Sequence, residues 1–206
     1  MPRKKTNSNG ERARLMVAQE AARIIVNQGI RDFGLAKKKA AERLGLTDRG
    51  SLPGNAEIEL AVSEHLQLFA GESHSDLLQT MRRAALSAME ILSPFEPRLV
   101  GPVLNGTADA NSAVNLHVFA DSVESVAHAL DLRGLNYKPY ERRLKSRRDR
   151  AETYAGFEFH HGEAAVQATV FPVDGIRQAP ISPITGRPMQ RADAKAILSL
   201  LGSARR

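Results

Sequence analysis

The stretch RLVGPVLNGTADANSAVNLHVFAD, Arg98 to Asp121, reads as a β-strand, a glycine-bearing loop and a second strand. On the second strand Asn115 and His117 stand two residues apart. Alternate strand residues share a face, so the amide and the imidazole point the same way. With Asp109 from the loop, the pair could bind a transition metal or hydrogen-bond a ligand without one. A lone strand histidine also serves as a packed structural residue. A different chemistry is offered between Lys138 and Arg150, where Arg142, Arg143, Lys145, Arg147, Arg148 and Arg150 outnumber Glu141 and Asp149. Such a block holds phosphates, or else solubilises a hairpin tip. His160-His161 followed by Glu163 suggests a metal, but neighbouring strand residues point to opposite faces and do not easily share one ion.

The strand-loop-strand resembles the signature of the nucleotidyltransferase superfamily, the polymerase-β-like fold. In that family a Gly-Ser pair ends one strand, a further glycine lies in the loop, and an Asp-x-Asp pair sits on the next strand. Here Gly101-Pro102 stands for the Gly-Ser and Gly106 for the loop glycine. Ser112-Ala113-Val114-Asn115-Leu116 stands for Ser-Asp-Ile-Asp-Leu, without a gap. The resemblance covers Glu96 to Phe171. It implies a nucleoside triphosphate held over Mg²⁺ by carboxylates at i and i+2, with a third carboxylate from a later strand. The chain keeps the glycines but departs from that pattern at the ligand positions and at the serine. Ala113 has no ligand atom, Asn115 has a neutral one, and Pro102 lacks the hydroxyl. The later strand AAVQATVFP offers Gln167 and Thr169, with Glu163 and Asp174 at its ends.

On this resemblance Gly101, Gly106 and Thr107 cradle phosphate with Ser112 beside them, and Asn115 and His117 face the reacting group. Arg142, Arg143, Lys145, Arg147 and Arg148 hold a polyanion, and Mg²⁺ is the cofactor the family implies. The expected function is that of a divergent nucleotidyltransferase-like protein, binding a nucleotide or nucleic acid with catalysis lost or altered. Retained activity would transfer a nucleoside monophosphate to a hydroxyl. The alternative is a non-enzymatic nucleic-acid-binding or regulatory module built on the basic hairpin 138–150.

Stepped periodicity supplies the elements that must position these residues. Glu11 to Gln28 places Leu15, Ala18, Ala22, Ile25 and Val26 at helical spacing. Asp32 can cap a helix ending before Gly45, and Asn55 opens one with Ile58, Val62, Leu66 and Phe69 on one stripe. Ser75 to Leu92 turns Leu77, Leu78, Met81, Leu86 and Met89 inward. From there short β-branched runs take over: strands at Leu99–Leu104, Val114–Ala120 and Ala164–Phe171, and hairpin arms at Tyr137–Leu144 and Tyr154–His160. Helices are expected from Ser122 to Leu132 and from Arg191 to Leu201. The expected fold is α+β: a disordered basic tail 1–10, a helical region 11–93, and a small mixed-sheet domain with flanking helices over 94–206. The stretch AARIIVNQGIRDFGLAKKKAAERLGL resembles the opening of bacterial repressor DNA-binding domains, with Lys37, Lys38 and Lys39 as phosphate contacts. The next helix is rich in acids, however, so a helical bundle that packs or self-associates is the expectation.

Composition bounds the partners. A net charge of +6 favours anions, and no cysteine is present for a disulfide or thiolate zinc site. No apolar run approaches the roughly 20 residues needed to span a bilayer, so no membrane partner and a cytoplasmic location are expected. The basic N-terminus lacks the apolar segment of a secretory signal. P-loop, Rossmann and Gly-x-Ser-x-Gly signatures are missing.

Overall fold

The computed structural model describes residues 8–30, 32–46, 52–69, 71–147 and 150–203. The chain divides between Gly71 and Glu72 into two compact units. The first contains α1 (Ser8–Gln28), α2 (Phe33–Leu44) and α3 (Asn55–Phe69). Helix α1 begins at Ser8, inside the stretch expected to be a tail, while Arg3, Lys4 and Lys5 lie outside the described residues. Asp32 caps α2 by accepting from the N–H groups of Gly34 and Leu35, and Gly45 closes it at φ 65°. The core is small-residue packing: Ala18, Ala21 and Ala22 of α1 meet Ala36, Ala40 and Ala41 of α2, with Ile58 and Val62 from α3. Phe69, expected on the stripe of Ile58 and Val62, is 77 % exposed instead. It is the last residue of α3, where its ring meets that of His65.

The second unit holds α4 (Gly71–Ile91), β1 (Arg98–Val100), α5 (Pro102–Asn105), β2 (Val114–Phe119) and α6 (Val123–Leu132). It continues through β3 (Tyr137–Arg147), β4 (Arg150–His161), β5 (Ala164–Phe171) and α7 (Ala194–Ser203). Helix α4 therefore belongs with the sheet, and the division does not fall at the composition change near Pro94. The reason is burial: Leu78, Met81, Ala85, Ala88 and Met89 share one core with Leu116, Val118, Val166 and Phe159. The architecture is α+β, with helices preceding and flanking a five-stranded mixed sheet of order β1-β2-β5-β4-β3. Only β2 and β5 run parallel; the other neighbours are antiparallel.

Several boundaries differ from the sequence expectation: the hairpin arms run on to Arg147 and from Arg150, and α4 starts at Gly71. The first strand stops at Val100 because Gly101 adopts φ 73°, and Pro102 then opens a single helical turn. The last helix starts at Ala194, because Ala192 is still extended and exchanges backbone hydrogen bonds with Leu99 at 2.8 and 2.9 Å. No described helix is long and apolar enough to cross a membrane.

The register sorts the sheet into two faces. Val114, Leu116 and Val118 lie beside Val166, Ala168 and Val170 and enter the helix-covered core. Asn115, His117 and Phe119 lie beside Gln167, Thr169 and Phe171 on the other face. Gly156 joins that second face, where a Cβ would stand 2.5 Å from Tyr140 Cζ and 2.6 Å from the Ala168 carbonyl oxygen. The missing side chain lets the Tyr140 ring lie on the strand, with its hydroxyl 2.7 Å from Thr169 Oγ1. Gly156→Ala is expected to lower the unfolding free energy by about 1–3 kcal/mol in urea titration, since the backbone oxygen cannot swing aside.

Candidate functional site

The strand-loop-strand from Arg98 to Phe119 is closed by its own turn. Gly101 faces Asn115 of β2, and its φ of 73°, rather than any lack of space, calls for glycine there. The N–H groups of Gly106 and Thr107 both return to the Pro102 carbonyl. They face the turn and are not free to cradle a phosphate, contrary to the expectation for these two residues. Helix α4 supports the same turn from behind: buried His74 Nε2 donates to Gly106 O at 3.1 Å, and Arg82 Nε donates to Val103 O at 3.3 Å. Burial lowers the Arg82 pKa. Ser112 is held within the loop, its hydroxyl donating to Asp109 Oδ1 at 2.8 Å and accepting from Asp109 N at 2.9 Å.

At the open half of the polar face, the position of the expected carboxylates is taken by amides and a guanidinium. Asn115 is the lateral partner of Gln167 on the parallel strand β5. Arg142, from β3, reaches across to both: Nη1 donates to Asn115 Oδ1 at 3.1 Å and Nη2 to Gln167 Oε1 at 2.6 Å. Each amide is oriented in turn, because Asn115 Nδ2 donates to Ala113 O and Gln167 Nε2 donates to Glu158 Oε2 at 2.8 Å. The Arg142 guanidinium lies 5.4 Å from the Tyr140 ring centroid, and no ion pair to it occurs among the described residues.

This donor set does not fit Mg²⁺. The two amide oxygens that would ligate it already accept from a cation, and a hard divalent ion needs charged oxygens there. Glu163 precedes β5 and Asp174 follows it, so neither approaches Asn115, whose β5 neighbour is Gln167. No group of three histidines or carboxylates among the described residues is placed to hold a metal.

His117 is only 1 % exposed and does not face an open site. Its Nδ1 accepts from Arg191 Nε at 3.1 Å, which places the ring proton on Nε2. Arg191 also donates to the carbonyls of Gly175 and Ile176 and stacks over Phe119 and Phe171, 4.9 and 5.1 Å from their centroids. His117 Nε2 and Arg191 Nη2 are buried without partners among the described residues. Burial, then the charges of Arg191 and Arg142, pushes the His117 pKa down to about 3. Burial, with Arg98 nearby, lowers Arg191 to about 10.

The basic block is split by strand alternation. Arg142 turns to the Asn115 face, while Arg143 and Lys145 alternate to the other side of β3 and are exposed. Arg147 ends β3, and Arg148 lies outside the described residues. His160 and His161 likewise part, and His161 Nε2 lies 2.7 Å from Ser87 Oγ on α4.

Arg191, Glu158 and Tyr140 are the contributors that sequence reasoning missed. Alternation alone puts Glu158 on the face of Tyr154 and Gly156, but its partner Gln167 emerges only from the register. Arg191 sits in a proline-rich loop with no periodicity to expose it.

The buried neutral His117 has a measurable consequence. Its folded pKa lies below the ordinary 6.5, so the unfolded state binds the extra proton between pH about 6.5 and 3. The stabilisation is complete above pH 6.5 and lost as pH falls, at up to about 1.4 kcal/mol per pH unit. Urea unfolding of His117→Gln at pH 7 and pH 5 is expected to show a shallower loss than wild type over that window. No family model matches the chain, and comparison with curated proteins and with solved structures finds no match.

Proposed function

We propose that the second unit is a divergent nucleotidyltransferase-like domain that binds the phosphate groups of a nucleotide or nucleic acid without metal and does not transfer them. The observation that carries this reading is the Arg142 guanidinium held between Asn115 and Gln167. In the family the chain resembles, paired carboxylates recruit Mg²⁺ to neutralise phosphate. Here the positive charge is covalently part of the protein, and two neutral amides aim it. A guanidinium presents planar N–H donors suited to phosphate oxygens, and Nη1 and Nη2 are each engaged by a single protein bond. Transfer chemistry lacks its parts: His117 is buried and neutral, and Glu158 is tied to Gln167. Such a protein belongs in the cytoplasm, with its ligands.

A second reading, favoured by exposed Arg143 and Lys145 on the opposite face, is a nucleic-acid-binding module that uses the hairpin and needs no Arg142 site. Self-association through the first unit fits either reading, since Leu15, Met16, Leu60 and Leu68 are exposed there.

The two are separated by binding measurements in EDTA. Pyrophosphate and nucleoside diphosphates are expected to raise the melting temperature without divalent metal. Arg142→Ala should weaken that binding about tenfold or more, the cost of a lost charge-assisted contact. Binding that requires Mg²⁺, or is indifferent to Arg142, sinks the first reading. Salt-steep binding to random RNA that is lost in Arg143→Ala/Lys145→Ala, with no response to pyrophosphate, supports the second.

A further inference from the structure

Helix α4 and strand β4 bring together two side chains that the Arg142 site does not use. Ser87 Oγ of α4 lies 2.7 Å from His161 Nε2 at the end of β4. By strand alternation His161 falls on the side of Phe157 and Phe159, which the helices cover. Arg142 is the partner of Tyr154 and lies on the opposite face. The imidazole is carried on fixed backbone, because His161 pairs with Ala164 across the turn into β5. Ser87 is exposed and sits one turn before α4 ends.

The hydroxyl is directed at the imidazole and not at its own helix. A serine inside a helix either points to water or donates to the carbonyl one turn earlier. Ser199 of α7 takes the second course, donating to Lys195 O at 3.1 Å. Ser87 makes no such bond among the described residues; its hydroxyl meets His161. A separation of 2.7 Å is within the reach over which a general base takes a proton. The position is open to water, so the matching substrate is a small ester whose leaving group already departs readily.

We propose that Ser87 is a nucleophile activated by His161 and that it accepts the acyl group of a small activated ester. In the neutral ring with its proton on Nδ1, Nε2 accepts from the hydroxyl. As Oγ attacks the ester carbonyl carbon, the hydroxyl proton passes to Nε2. Collapse of the tetrahedral adduct breaks the bond to the leaving oxygen, which takes that proton back from Nε2. The products are acyl-Ser87 and the free alcohol or phenol, with no further reactant consumed. The pair lies away from the Arg142 face and does not rest on the phosphate reading.

Timed incubation of the full chain with p-nitrophenyl acetate, followed by peptide mapping in a mass spectrometer, tests it. The chain has no cysteine to compete for the acetyl group. Ser87 is expected to be acetylated about tenfold or more faster than Ser199, the serine that donates to its own helix. His161→Gln keeps a polar side chain but supplies no base, and should slow acetylation of Ser87 about tenfold. Ser87→Ala should remove that adduct altogether. Melting temperatures establish that each variant is folded. Acetyl groups on lysines or His161 alone, a Ser87 rate no higher than that of Ser199, or a rate unchanged in His161→Gln overturns the proposal. Pyrophosphate binding in EDTA is expected to be equal in wild type and both variants, so failure here leaves the Arg142 reading standing.

Discussion

The parallel pairing of β2 with β5 is the constraint on which the second unit rests. Its six-residue register sets Leu116 beside Ala168 and Val118 beside Val170 on the side that α4, α6 and α7 cover. The same register sets Asn115 beside Gln167 and His117 beside Thr169 on the other side. A slip of one residue would send the aliphatic set into the polar face and the polar set into the core, which burial forbids. Position on the sheet is thus decided by the apolar residues, and the chemistry of the alternate residues is carried along with it.

Charge on the polar face is handled in an unusual way. Arg142 and Arg191 each contact neutral acceptors: two amide oxygens for the first, an imidazole nitrogen and two carbonyls for the second. Neutral partners orient a cation without cancelling its charge, and Glu158 on the same face meets Gln167 Nε2. Aromatic faces at Phe119, Phe171 and Tyr140 supply part of what carboxylates would otherwise provide. The depressed His117 pKa is the other side of that balance, because burial first, and then the charges of Arg191 and Arg142, disfavour a proton there.

Much of this fold is legible in the sequence wherever local chemistry dictates the outcome. Asp32 and Gly45 bracket α2 as capping residues do, and Ser122 caps α6 by accepting from Ser125 N. The alternation of Val114–Phe119 and Ala164–Phe171 marks both strands, and it places Asn115 on their polar side. Partnership is what local chemistry does not supply. Nothing near Arg142 announces Asn115, and His117 reads as a surface candidate until Arg191 and Phe171 close over it. The same gap hides α4's allegiance, since an amphipathic helix does not state which sheet it will cover. Gly101 and Pro102 read as strand and phosphate loop, although positive φ followed by proline is equally the recipe for a one-turn helix.

The segment after β5 touches both margins of the sheet. Ile181 donates to the Lys145 carbonyl beside β3, and Ala192 exchanges two backbone bonds with Leu99 of β1. One late stretch of chain therefore shields the outer strand on either side, leaving less exposed backbone for a second molecule to pair with. During synthesis β1 emerges long before Ala192, so its outer edge stays open until the last part of the chain arrives. Protection against wrong pairing is the final thing this unit acquires, and any chain broken after Phe171 would go without it.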